Sequence, residues 1–169
     1  MNPSGQQATS PRGRRQVQSQ PMFHRVFAAD PLSVRRVLAD VRQRFRDHVE
    51  DDALGRLELV LAEVMNNVAE HGAPRPAQDL IARPPAPSIH LCIVRHSGGL
   101  SCAVTDDGVS LPVSCLERRD LPNAPDGGLP EGGFGWFLIQ DLTQALCYYR
   151  EERRNFLAFC IPLTVGAAA

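Results

Sequence analysis

Three stretches of this 169-residue chain hold side chains able to do chemistry. In the first, Glu63, Asn67 and His71 recur every four residues, so on a helix each is turned only about 40° from the last and together they make one polar stripe. A solvated helix face would show such a stripe too. Asparagine is a costly residue inside a helix, however, and a use for the amide would explain the pair Asn66-Asn67. In the second, Thr105 runs into Asp106-Asp107-Gly108. An ordinary Asp-Gly turn accounts for this motif, and so does a carboxylate placed at a strand end to accept the exocyclic amine of a base, which would select adenine over guanine. In the third, Glu131-Gly132-Gly133-Phe134-Gly135-Trp136 precedes the apolar Phe137, Leu138 and Ile139. Glycines before a helix let backbone N–H groups approach an anion at its positive end, where phosphate is the natural occupant; a flexible loop leading to a buried helix reads the same way.

These stretches need elements to hold them. Residues 22–28 form a short β-type run, after which Asp30-Pro31 reads as an N-cap with proline at the first helical position. Leu32, Val34, Val37, Leu38, Val41, Phe45 and Val49 then repeat at three- and four-residue steps, which predicts a helix of about 18 residues. Asp51 or Asp52 can cap a second helix that runs to Glu70 or His71 and stops at Gly72 and Pro74. Its buried face is Leu54, Leu57, Leu61, Val64, Met65 and Val68. Residues 73–87 are a proline-rich connection. Alternation over residues 89–94 and 100–104 about a Ser-Gly-Gly turn predicts an antiparallel hairpin. Residues 106–132 read as a long surface loop, 135–142 as a helix, and 145–150 with 156–163 as a second hairpin.

Composition narrows the field. With 43 % hydrophobic and 22 % charged residues the chain has the makings of one packed domain. Residues 1–20 carry Arg12, Arg14 and Arg15, no acid and almost nothing to bury, and are expected to be a disordered basic tail before a domain at 21–165. The net charge is −1, so residues 21–169 are acidic on balance, which argues against a nucleic-acid groove. All 18 basic residues are arginine. That removes a Walker-A lysine, a kinase-type lysine on the third strand and a Schiff base, and leaves backbone amides, arginine and a metal ion to neutralise any phosphate. Five cysteines without a C-x-x-C pair suggest neither a disulfide framework nor a zinc site. The N-terminus lacks the apolar stretch of a secretory signal, and no apolar run reaches the ~20 residues a membrane helix needs. A cytoplasmic protein is expected.

Taken in order, the three stretches resemble the N, G1 and G2 boxes of the GHKL ATPase superfamily. The run Glu63-Val-Met-Asn-Asn67-Val-Ala-Glu-His71-Gly72, then Asp106-Asp-Gly108, then Gly132-Gly-Phe-Gly135-Trp-Phe-Leu-Ile139 is most similar to the anti-sigma factor serine/threonine kinases of bacterial partner switching. The resemblance implies an α/β two-layer sandwich of the GHKL (Bergerat) type, with helices on one face of a mixed, mostly antiparallel sheet. It implies ATP and Mg²⁺ as cofactors: Asn67 as the Mg²⁺ ligand, Asp106 on the adenine amine, Gly108 permitting close approach, and Gly132, Gly133 and Gly135 around the phosphates. Residues 109–131 would be the ATP lid. Glu63 would be the catalytic base or orienter of a partner's hydroxyl, and His71 either touches phosphate or ends the helix. The implied partners are an anti-anti-sigma (STAS-type) protein, which is phosphorylated, and a sigma factor, which is sequestered, with a homodimer expected and no direct contact with nucleic acid or membrane.

Two departures from the family pattern keep other functions in view. Ser110 stands where the second glycine of the G1 box is usual, and Asn155-Phe156 stand where a Gly-Thr pair near the adenine is often found. A catalytically weak regulator that works through protein contact, or the ATP-binding domain of a split histidine kinase, would fit the same sequence.

Overall fold

The computed structural model describes residues 21–73, 85–112 and 134–163. The tail at 1–20, most of the proline-rich connection, lid residues 113–131, Gly132 and Gly133 lie outside the described residues.

The elements follow the local chemistry closely. Strand β1 (Met22–Ala28) leads to Asp30, whose carboxylate accepts the Leu32 and Ser33 amides at 3.0 Å and starts α1 (Pro31–Phe45). This helix has 15 residues, shorter than its apolar repeat suggests. Val49 extends the repeat because it is buried in the core while the chain there is already turning, its amide bonded to Phe45 O at 3.0 Å. Helix α2 (Asp51–His71) has Glu50 at its N-cap with no side-chain hydrogen bond, so neither Asp51 nor Asp52 caps it. Both aspartates instead sit in the first turn, where they face the positive end of the helix dipole. Gly72 ends α2; a Cβ there would overlap the Val68 carbonyl.

Strands β2 (Ser88–His96) and β3 (Gly99–Asp106) form the first hairpin. After α3 (Phe134–Leu142), β4 (Gln144–Glu151) and β5 (Arg154–Pro162) form the second. Among the described residues the sheet order is β1-β2-β3-β5-β4 and all four pairings are antiparallel, so the sheet there is wholly antiparallel where the resemblance implied a mixed one.

One sheet face is covered by the helices. Ile89, Leu91 and Ile93, then Leu100, Cys102 and Val104, then Leu157, Phe159 and Ile161 are all buried, alternating along their strands with more exposed neighbours. They pack with Val41 and Phe45 of α1 and Leu54, Leu57, Leu61 and Met65 of α2. Between the helices, Arg42 Nε and Nη2 reach the Glu58 carboxylate at 2.6 and 2.5 Å. The result is a two-layer α/β sandwich, as the sequence implied.

Candidate nucleotide site

The helix-facing row at one end of the sheet changes character. Register pairs Ile89 with Asp106, Asp106 with Asn155, and Asn155 with Arg150. Because side chains alternate with period two, Asp106 and Asn155 share the face that two residues earlier or later carries Val104 and Leu157. They are the two buried polar residues among those described, with relative exposures of 8 % and 5 %.

A backbone contact joins this row to the end of α2. Val109 N donates to Gly72 O at 2.9 Å, and a Cβ on Gly108 would lie 2.8 Å from the same oxygen and 3.0 Å from Gly72 Cα. Only a residue without a side chain allows the approach. The first and second sequence stretches therefore meet.

The third stretch reaches the first through Glu63. A Cβ on Gly135 would overlap Glu63 Oε2, so the carboxylate rests against the backbone of the first turn of α3. One turn further along α2 the Asn67 carboxamide lines a cavity of about 660 Å³, which also takes in His71, Gly72, Asp106, Trp136 and Tyr148. Glu63 stands beside Gly135 and is not among the residues lining that cavity. His71 is exposed at the rim, with Nε2 3.8 Å from Glu70 Oε2.

Asp106 has a fixed environment. Its Oδ1 accepts from Gly108 N at 2.9 Å and from Asn155 Nδ2 at 2.8 Å. Burial pushes its pKa above the ordinary carboxylate value, against the opposing pull of the Asn155 and Gly108 hydrogen bonds and of Arg150. Tyr148 Oη donates to Asn155 Oδ1 at 2.9 Å and accepts from Leu111 N at 3.0 Å. Ser110, the residue in place of glycine, is exposed, with Oγ 3.3 Å from Tyr148 Oη. Tyr148 and Arg150 are site residues that sequence reasoning missed, and Asn155, noted there only as a departure from a Gly-Thr pair near the adenine, was given no task. Their signal was present as strand parity, since Asn155 is the one polar residue in phase with Leu157, Phe159 and Ile161.

The profile of the histidine kinase-like ATPase domain family matches residues 27–161, most of the chain. The chain belongs to this family. Its fold is shared with the crystal structure of the RsbU and RsbW domains of Rv1364c from Mycobacterium tuberculosis, at a TM-score of 0.55 and 15 % identity. That match covers 85 % of this chain and 32 % of the other, so the chain spans about a third of its structural neighbour. No curated protein matches significantly.

Membership in a histidine kinase-like ATPase family implies an ATP site, and the cavity has the size typical of small-molecule sites, about 300–1,000 Å³. Asn67 Nδ2 is buried without a hydrogen-bond partner among the described residues. Buried amides are rarely left so, and Asn67 is one of the residues that line the cavity. No group of three or more His, Cys, Asp or Glu suited to a metal occurs among the described residues. A magnesium ion in such a cavity would take most of its oxygens from phosphate and water, and a carboxamide oxygen such as that of Asn67 is a ligand type it accepts. No described helix is long and apolar enough to cross a membrane.

Proposed function

We propose that this chain is an ATP-dependent serine/threonine protein kinase of the partner-switching type: it phosphorylates an anti-anti-sigma protein of STAS type and sequesters a sigma factor. The observation that carries the reading is the placement of Glu63. Its carboxylate lies against Gly135 at the start of α3, one helical turn from Asn67, whose cavity ends on Asp106.

Each residue then has a task. Asp106 accepts the adenine amine, and Gly108, whose missing side chain lets the turn close onto the Gly72 backbone, fixes that turn beside the base. The first turn of α3, with Gly135, offers amides to the phosphates at the positive end of the helix dipole, and the family resemblance gives Gly132 and Gly133, outside the described residues, the same task. Asn67 would hold Mg²⁺, which when bound neutralises charge on the phosphate oxygens. His71, exposed beside the cavity, would either touch a phosphate or simply end the helix. Glu63 orients the partner's serine or threonine hydroxyl and takes its proton as the oxygen attacks the γ-phosphorus and ADP leaves. Phosphoryl transfer asks chiefly for positioning and charge neutralisation, so a chain without lysine can perform it. Cytoplasmic location and a homodimer go with this reading.

The test is transfer of labelled γ-phosphate to a purified STAS-type partner. Wild type should yield acid-stable phosphoserine or phosphothreonine, Glu63→Ala should not, and Asn67→Ala should lose Mg²⁺-dependent ATP binding. Identical labelling by Glu63→Ala and wild type would remove the catalytic assignment. An acid-labile product would point instead to a histidine acceptor.

A further inference from the structure

Asn155 lies at the end of the cavity in a network that leaves its amide one orientation. Nδ2 faces three acceptors, Asp106 Oδ1 at 2.8 Å, Val109 O at 2.9 Å and Gly108 O at 3.5 Å. Oδ1 faces two donors, Arg150 Nη1 at 2.5 Å and Tyr148 Oη at 2.9 Å. Turning the amide over would set N–H groups against N–H groups on one side and oxygens against oxygens on the other. Arg150 Nη1 also donates to Gly108 O at 3.0 Å, so the guanidinium holds both the amide and the turn after Asp106.

The consequence falls on Asp106. With Asn155 Nδ2 and Gly108 N both on Oδ1, the two donors favour the ionised form against the burial that opposes it and keep the carboxylate from rotating, and Oδ2 is the oxygen left to meet a ligand. We propose that Asn155, oriented by Arg150 and Tyr148, is the positioning residue that makes this cavity discriminate a 6-amino from a 6-oxo purine nucleotide. A fixed, ionised Oδ2 accepts from an amine and repels a carbonyl. Without the Asn155 donor the same buried carboxyl is free to protonate and turn, and a protonated carboxyl donates to a 6-oxo group as readily as it accepts from an amine. The inference rests on the nucleotide reading of the cavity and goes beyond it by assigning selectivity to a residue that acts through Asp106.

Tyr148 has a second attachment. Its hydroxyl ties the Leu111 amide and stands 3.3 Å from Ser110 Oγ, so the chain leaving the site is anchored to the same network.

The experiment compares ATP with inosine triphosphate, both with Mg²⁺, by calorimetry on the full chain. Wild type should prefer ATP. Asn155→Leu should reduce ATP affinity about ten-fold while changing inosine triphosphate affinity less than about two-fold, so that the preference collapses about ten-fold. A merely structural role would weaken both nucleotides alike. Arg150 is exposed and its replacement spares the core. Arg150→Met should therefore fold and lower the preference about three-fold, deciding the matter if Asn155→Leu does not fold. Wild-type binding of ATP with an unchanged preference in the folded variants overturns the inference and leaves the proposed function standing. Failure of wild type to bind either nucleotide overturns both.

Discussion

Asp106→Asn should separate stability from recognition. The carboxamide is nearly isosteric, and its oxygen can take the place of Oδ1, accepting from Gly108 N and Asn155 Nδ2. Its NH₂ then occupies the Oδ2 position and faces the base with a donor. Loss of a hydrogen bond to a charged acceptor costs about 1.5–3 kcal/mol, which at about 1.4 kcal/mol per factor of ten is about a 10- to 150-fold loss of ATP affinity. The stability of the free protein should move the other way. Burial raises the Asp106 pKa, so the unfolded chain releases this proton at lower pH than the folded one does. Wild type thus loses stability as pH rises from the ordinary carboxylate range through the folded pKa, whereas the variant has no such titration. At pH 8 the thermal midpoint of Asp106→Asn should exceed that of wild type, with the gap closing once pH falls below the unfolded value. Nucleotide titration calorimetry and a pH series of thermal melts read the two halves. Unaltered ATP affinity, or a variant less stable than wild type at pH 8, would refute the reasoning.

Gly135→Ala puts a methyl into the space of the Glu63 carboxylate; phosphotransfer should fall about 100-fold by displacement of that group, while alanine's better helix preference, about 0.5–1 kcal/mol, holds or raises the melting midpoint. Gly108→Ala sets a Cβ against the Gly72 backbone, atoms that cannot swing away, and should cost about 1–3 kcal/mol in urea unfolding together with nucleotide affinity. Leu61→Ala empties a fully buried position in α2 and should cost about 2–5 kcal/mol. By contrast Val26→Ala, on the exposed side of β1, should stay within about 0.5 kcal/mol in the same assay.

Local chemistry was legible wherever neighbours in sequence decide the outcome. Asp30-Pro31 starts α1 because the cap, the fixed proline φ and the apolar repeat agree. Gly72 ends α2 for an equally local reason, the space beside the Val68 carbonyl. The length of α1 was misjudged because burial of Val49 prolongs a periodicity that the backbone has already left. In the site, Asp106 and Gly108 announce themselves as a pair, but the partner that fixes Asp106 lies 49 residues on and is found only through the register of β3 against β5. The Glu63–Gly135 approach is legible only by analogy, since nothing in either segment states how α2 and α3 pack.

The cross-strand row from Ile89 through Asp106 and Asn155 to Arg150 also ties ligand chemistry to folding fidelity. A slip of β5 by one position would exchange Asn155 for Phe156 or Arg154 opposite the carboxylate and turn the whole strand inside out. Any nucleotide that needs this row favours the correctly threaded sheet by mass action and leaves shifted pairings without reward. In that sense the ligand proofreads the strand alignment that created its own berth.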